Sequence, residues 1–376
     1  MINIFQPSLG KEELSEIEKV FESNWLGRGK QVAEFEYLFS KNLKESSDSF
    51  YALSCCTEGL FMAAKIFNFG PGDEIIVPSV SFIAAGSAVV ESGAELVICD
   101  VDKHSLNTTA EHIKEKISNK TKAIILNHYG GHPCDMDPIM ELAKANNIFV
   151  IEDSACAVQS FYKGKACGTI GDMGIWSFDA MKSIVTGDGG MVYLKSNKLL
   201  NQLKEECYLG LPAKSTSGID KSSDNSDIWW EVQINRPGRR SIMNNISAAM
   251  GIIQMNKLDA FQARRKSIYE SYNIGFKENK FIRTPPNLIK DCTNSYYFYW
   301  IQLEKRNELA KYLKERDIYT TYRYWALNDV DYFNIKDKSL LNTDFASTKT
   351  LNLPLHPSLS DADIIKVINS VNEFFS

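Results

Sequence analysis

No charge of one sign dominates this chain of 376 residues: 42 Lys and Arg stand against 47 Asp and Glu, a formal net charge of -5. That balance leaves no electrostatic footprint for nucleic acid. Long hydrophobic runs are also missing, since every apolar stretch is interrupted before it could span a bilayer. The opening Met1-Ile-Asn-Ile-Phe-Gln-Pro has no basic stretch leading into an apolar one. A cytoplasmic protein with neither a nucleic acid nor a membrane as partner is expected. The eight cysteines form no C-x-x-C pair and no zinc-like spacing, so free thiols and no metal centre are expected. His128 and His132 are four apart, but the Tyr129-Gly130-Gly131 between them is poor helix material, and loop histidines are the better reading. Neither a G-x-x-x-x-G-K-[ST] phosphate loop, a G-x-G-x-x-G turn, a G-x-S-x-G elbow nor an H-E-x-x-H pair occurs. Nucleotide hydrolysis, dinucleotide binding and serine hydrolysis therefore lose their usual signatures.

What is present is the composition of a folded globular chain, 44% apolar and 24% charged. Lys11 to Asn24 reads as an amphipathic helix with Leu14, Ile17, Val20 and Phe21 on one face. Strand-like runs follow at 50–53, 74–77, 95–99, 122–127, 148–152, 174–178 and 191–194, with helix candidates at 58–67, 83–92 and 137–145 between them. Near-continuous Ile/Val/Leu strands alternating with helices predict an α/β fold with a mostly parallel sheet covered on both faces. Ligands in such sheets bind beyond the C-terminal strand ends. Ala213 to Asp227, rich in Ser, Lys, Asp and Gly, reads as an exposed loop ahead of Trp229 and Trp230. From Ile246 a long helical stretch, an aromatic strand at 296–303 and a last helix capped by Ser360 predict a smaller α+β domain. The expected division is 1–245, a large domain with its N-terminal helix, and 246–376.

Two spans carry chemistry. Val150-Ile-Glu-Asp-Ser-Ala-Cys-Ala157 puts Asp153 directly after a buried-type strand. Ser177-Phe-Asp-Ala-Met-Lys-Ser-Ile-Val-Thr-Gly-Asp-Gly-Gly190 sets Lys182 in a turn between two strands. A lysine amine and a carboxylate at one crevice edge are what pyridoxal phosphate chemistry requires: the amine bonds the cofactor aldehyde, and the carboxylate keeps the pyridine nitrogen protonated. Taken singly, the Asp also fits a helix cap and the Lys a solvated turn.

With Tyr162 to Asp172 between them, these spans resemble the DegT/DnrJ/EryC1/StrS family of sugar aminotransferases, of aspartate aminotransferase fold type I. The likeness extends through ordered blocks at 24–36, 54–60, 72–82, 128–137, 246–251 and 353–360. It implies the fold type I architecture and pyridoxal 5'-phosphate (PLP) as cofactor, with its aminated form PMP between two half-reactions. It also implies L-glutamate as donor, a nucleotide-diphosphate ketosugar as acceptor, and a homodimer with shared active sites. By the same resemblance Lys182 holds the cofactor and shuttles the proton, and Asp153 pairs with the pyridinium. Phe82 stacks on one face of the ring and Ala155 packs on the other. Thr57, the amide of Cys56, and Ser177 hold the phosphate. Family branches with histidine at the lysine position are dehydratases, so Lys182 favours transamination.

Three departures stand out. Cys156 replaces the His, Gln or Glu of many relatives near the cofactor hydroxyl, and Cys55-Cys56 replaces small or polar residues of the phosphate turn. The third lies in Arg236 to Ile246, a segment that in relatives reaches the neighbouring subunit's phosphate: Arg240 stands where Asn is common, and Ile242 where an arginine is usual. For the sugar-nucleotide pocket, aromatics and arginines suit a base and a diphosphate, which selects Trp25, Arg28, Trp229, Trp230, Arg323, Tyr324 and Trp325. The expected product belongs to amino-sugar synthesis for O-antigen (lipopolysaccharide), other glycans or secondary metabolites, with a 4-keto-6-deoxyhexose favoured. Two other readings keep the cofactor: elimination or dehydration, and amination of a non-nucleotide ketone. A third is a non-catalytic PLP-binding sensor.

Overall fold

The computed structural model describes residues 1–211, 234, 236–335, 337 and 339–376; the 213–227 loop, Trp229 and Trp230 lie outside the described residues. Seven strands make the main sheet: β1 (Phe50–Leu53), β2 (Glu74–Pro78), β3 (Glu95–Cys99), β4 (Thr121–Asn127), β5 (Phe149–Asp153), β8 (Met173–Ser177) and β9 (Gly190–Leu194). Between β5 and β8 lies a short hairpin, β6 (Phe161–Tyr162) and β7 (Lys165–Ala166). The spatial order is β1-β9-β8-β5-β4-β2-β3, with β9 alone antiparallel to its neighbours.

Alternation along each strand feeds two cores. Ile75, Val77, Ile151 and Ile175 point to the face covered by α3 (Cys56–Ile66), α4 (Ile83–Glu91) and α7 (Asn197–Cys207). Ile76, Ile124 and Val150 point the other way, toward α5 (Ala110–Lys114) and α6 (Met136–Asn146). Beside them Phe35 and Phe39 of α2 (Lys30–Asn42) pack on Trp176 and Phe178.

The first helix, α1 (Lys11–Glu22), is turned away from the face its hydrophobic pattern suggests. Glu13 and Val20 are buried, while Leu14 and Phe21 stay 67% and 57% exposed. Glu13 explains the rotation: it accepts from Gln254 at 2.8 Å and Lys257 at 2.7 Å on the long helix α8 (Asn245–Gly275). Its other oxygen caps the Gly10 amide at 2.8 Å. A charge satisfied by three donors is drawn inward at the expense of the apolar stripe.

α8 serves two cores. Ala248, Ile252 and Leu258 join the aromatic core of α2, whereas Ile268, Tyr269, Tyr272 and Phe276 join a C-terminal core. That second core contains β11 (Tyr299–Gln302) paired antiparallel with β12 (Thr350–Leu353), plus α9 (Arg306–Lys314) and α11 (Asp361–Glu373). β10 (Cys292–Thr293) extends the β6–β7 hairpin, and α10 (Leu341–Lys349) leads into β12. Ser360 caps α11 by accepting from the Asp363 amide at 3.1 Å. Among the described residues no helix is long and apolar enough to cross a membrane.

His132 is buried against α8 and β11, its Nε2 3.1 Å from the Tyr269 hydroxyl and its ring 4.9 Å from Trp300. Burial holds it neutral by lowering its pKa from 6.5 to about 3. A folded-state pKa depressed in this way gives stability that is complete above 6.5 and is lost as pH falls toward 3. Urea unfolding measured through that window should lose up to about 1.4 kcal/mol per pH unit from this one group. His132→Gln, which keeps a polar partner for Tyr269 but cannot titrate, should flatten that part of the slope.

Candidate active site

Strand ends build the site. β5 finishes at Asp153, β8 at Ser177, and β1 runs into Cys55 and the first turn of α3. Residues from all three line one cavity of about 230 Å³, together with Phe82, Ala155, Lys182, Tyr297, Arg323 and Tyr324. The close approach of β1 and β9 depends on Gly190, where a Cβ would meet the Cys55 carbonyl carbon and the Cys56 amide nitrogen at 2.6 Å.

The end of β5 is fixed from behind. Glu152 is fully buried and accepts four bonds: from the amides of Gly168 (2.7 Å), Ile170 (2.8 Å) and Gly171 (2.6 Å), and from His128 Nε2 (2.9 Å). The Cys134 amide donates to His128 Nδ1 at 3.1 Å, so the proton of a neutral ring lies on Nε2 and points at Glu152. Gly168 has φ +98°, a left-handed conformation that lets its amide turn toward the carboxylate. The Tyr162–Asp172 run thus acts as a clamp on the residue preceding Asp153.

Asp153 accepts from the Ala155 amide at 3.0 Å through Oδ1, and among the described residues its other oxygen makes no hydrogen bond. Burial pushes its carboxyl above the ordinary value, against the pull of the Ala155 amide, of the Lys182 charge and of the nearby His128 imidazole. A cation set beside it would reverse that shift. Lys182 Nζ lies 3.8 Å from Cys156 Sγ and 5.0 Å above the Tyr297 ring. Burial lowers the amine, but the surrounding Cys156, Tyr297, Cys56 and Asp153 outweigh it and raise the pKa. Burial raises the two thiols and the phenol themselves, which leaves Asp153 as the one carboxylate of that set.

At the opposite end α3 begins at Cys56, with no side-chain cap on its first amides. Thr57 and Ser177 bring hydroxyls to the same end. Free helix N–H groups, the helix dipole and two hydroxyls form a receptor for an anion. Phe82 is 44% exposed in spite of its place at the cavity wall, an aromatic face open to a flat ring. Lysine, carboxylate, anion receptor and open aromatic face fit pyridoxal phosphate in every part.

The other residues selected from sequence divide. Tyr324 and Arg323 line the cavity, and the Tyr324 hydroxyl is 3.2 Å from Cys156 Sγ. Arg28 does not reach it: the guanidinium is bound to Glu36 at 2.6 Å and lies 4.0 Å over the Tyr51 ring. Trp25 donates to the Arg28 carbonyl at 3.1 Å, outside the cavity. Trp325 is 67% exposed and donates to the Asp329 carbonyl at 3.3 Å. Arg240 is exposed, bridged to Tyr208, and outside the cavity of its own chain. Sequence reasoning passed over Asp179, Met181 and Asp188, which stand inside the Lys182 motif, and Tyr297 and Phe298. The last two come from an aromatic run that carries no motif at all.

A site of this kind at the C-terminal edge of a parallel sheet defines a PLP enzyme of fold type I. The chain belongs to the DegT/DnrJ/EryC1/StrS aminotransferase family, whose model matches residues 7–372. It is 42% identical over 366 residues to a dTDP-4-dehydro-2,3,6-trideoxy-D-glucose 4-aminotransferase of Saccharopolyspora spinosa, covering 97% of this chain and 94% of that protein. The aminotransferase TlmJ from Streptoalloteichus hindustanus superposes with TM-score 0.94 at 42% identity, over 100% of this chain and 99% of that one. A sugar aminotransferase described as putative, Spr1654 of Streptococcus pneumoniae, superposes in its PMP form with TM-score 0.89 at 25% identity, over 98% of each chain. The chain is a PLP-dependent aminotransferase.

Proposed function

We propose that the enzyme moves an amino group from L-glutamate to the C4 ketone of a nucleotide-diphosphate 6-deoxyhexose, with dTDP as carrier. The observation that carries this is the joint placement of Lys182, Asp153 and the α3 anion receptor in one cavity. The carrier and the C4 position are taken from the Saccharopolyspora relative's name. Pyridoxal phosphate supplies the electron sink for the carbon that loses its proton. Lys182 Nζ would hold the cofactor and would then carry the proton to and from that carbon. Asp153 keeps the pyridine nitrogen protonated, in a setting where burial makes a charge pair strong. The first amides of α3, Thr57 and Ser177 would hold the phosphate, while Phe82 and Ala155 would flank the ring.

The same reading makes the enzyme a cytoplasmic homodimer in which Arg240 serves the neighbouring subunit's site. It divides the chain into 1–245 and 246–376 with α8 shared, and sets the product in O-antigen or related amino-sugar synthesis. Protein loaded with PMP and mixed with dTDP-, UDP- and GDP-linked ketosugars should return to its PLP spectrum with the dTDP-4-keto sugar. Reaction with a 3-keto sugar or a cyclitol ketone alone would overturn the assignment.

A further inference from the structure

We propose that Tyr297, stacked on Phe5 of the N-terminal segment, positions the Lys182 ammonium while it carries the proton; this rests on the role given to Lys182 in the aminotransfer reading above. Lys182 Nζ lies 5.0 Å from the centre of the Tyr297 ring. Its hydrogen-bond contact is a long one, 3.8 Å to Cys156 Sγ, and among the described residues no carboxylate pairs with it. Tyr297 is buried and held on every side. Its amide donates to the Gly130 carbonyl at 3.1 Å, and its hydroxyl donates at 3.3 Å to the carbonyl of Met181, the residue before the lysine. Arg265 Nη1 of α8 donates to its carbonyl at 3.5 Å. Phe5 stacks on the ring at 5.5 Å between centres, with 13° between the planes.

Phe5 comes from the far end of the chain, in a segment fastened on both sides. Before it, the Asn3 carbonyl accepts from His356 Nε2 at 3.2 Å and the Ile4 carbonyl from the Leu355 amide at 3.3 Å. After it, the Ser8 carbonyl accepts from Gln254 of α8 at 2.8 Å. The segment thus braces the ring that Lys182 faces. The chemistry explains why an aromatic face suits this place. An amine that has taken the substrate proton is a cation inside a cavity of about 230 Å³, and it must hand that proton to a neighbouring carbon. A carboxylate paired with it would hold it in a salt bridge and compete for the proton. A ring face attracts the ammonium through its quadrupole and cannot accept the proton. It has no comparable attraction for the neutral amine, so the restraint acts while the lysine is charged and is released when the amine bonds the cofactor.

The test uses full-length protein and the variants Tyr297→Leu, Tyr297→Phe and Phe5→Leu, each checked for an unchanged thermal midpoint. The nearby groups that titrate or carry charge are Asp153, Cys156 and Cys56 around the amine, and Tyr324, Arg265 and Arg323 around the ring. All are kept in the variants, so differences between them report the two rings. Capture of added PLP by cofactor-free protein, followed by stopped flow across pH, reads the ionisation of the amine without any substrate. In Tyr297→Leu that profile should move down by about one pH unit, because the charged form of the lysine loses its ring face. Tyr297→Phe, which keeps the face and loses the hydroxyl, should stay within about 0.3 unit, and Phe5→Leu should fall between the two. Single turnover of the PLP-loaded proteins with L-glutamate deuterated at the α-carbon should slow about tenfold in Tyr297→Leu, with a larger isotope effect, and recover most of that in Tyr297→Phe. A profile unmoved or moved upward in Tyr297→Leu, an equal loss in Tyr297→Phe, or a Phe5→Leu protein that behaves as the parent would each overturn the proposal. If Tyr297→Leu does not fold, the profile of Phe5→Leu decides. No reaction of unmodified protein with glutamate would count against the aminotransfer reading, and the capture profile would then decide Tyr297.

Discussion

Lys182→Ala protein takes up PLP without forming the covalent bond, shows no visible band of lysine-bound cofactor, and transfers amino groups at least about 10,000-fold more slowly. The expectation follows from the position of Nζ within the cavity, at the mouth of a turn that ends β8. It is flanked by Cys156, Tyr297 and Asp153, none of which can take over its role. A neutral thiol or phenol is a poor acceptor for the substrate proton, and in the proposed arrangement Asp153 faces the pyridine side. The phosphate receptor at α3 does not involve Lys182, so cofactor affinity should survive. A spectrum of the variant with added PLP separates the two effects. Fold should also be retained, because among the described residues the Lys182 side chain makes only a weak bond to sulfur at 3.8 Å and a ring contact with Tyr297.

Asp153→Asn should cut turnover roughly 1,000-fold, the rate equivalent of about 4 kcal/mol lost when one member of a buried ion pair is removed. The amide can still accept from the Ala155 N–H, which keeps the loop after β5 in place, but it cannot hold a proton on the pyridine nitrogen. The burial that raises the Asp153 carboxyl makes the pair strong once a pyridinium faces it. Single-turnover kinetics with glutamate measure the loss directly. A decline of only a few-fold would mean that the nitrogen works unprotonated and that Asp153 is a cap for the loop.

Much of the site lies in local sequence because each part is a strand end followed by its turn. Asp153, Ser177, Lys182, Thr57 and Phe82 each sit within a few residues of an apolar run that the sequence marks as a strand. β1 and β3 were read at their observed limits for the same reason, 50–53 and 95–99. Where the outcome depends on a distant partner, local pattern fails. Arg28 has the composition of a diphosphate ligand, yet Glu36, two turns along α2, takes its charge. α1 has the stripe of a helix packed through Leu14 and Phe21, yet Gln254 and Lys257 rotate Glu13 into that place. Tyr297 and Phe298 reach the cavity from a separate cluster with Val80, Tyr129 and Trp300, a juxtaposition that no local spacing announces.

The most direct measurement is the visible absorption spectrum of the purified protein with PLP, before and after L-glutamate. The account predicts a band of lysine-bound cofactor that glutamate converts to the PMP band, and that a dTDP-linked 4-keto-6-deoxyhexose restores. No band of lysine-bound cofactor, or a band that glutamate leaves untouched, would contradict it.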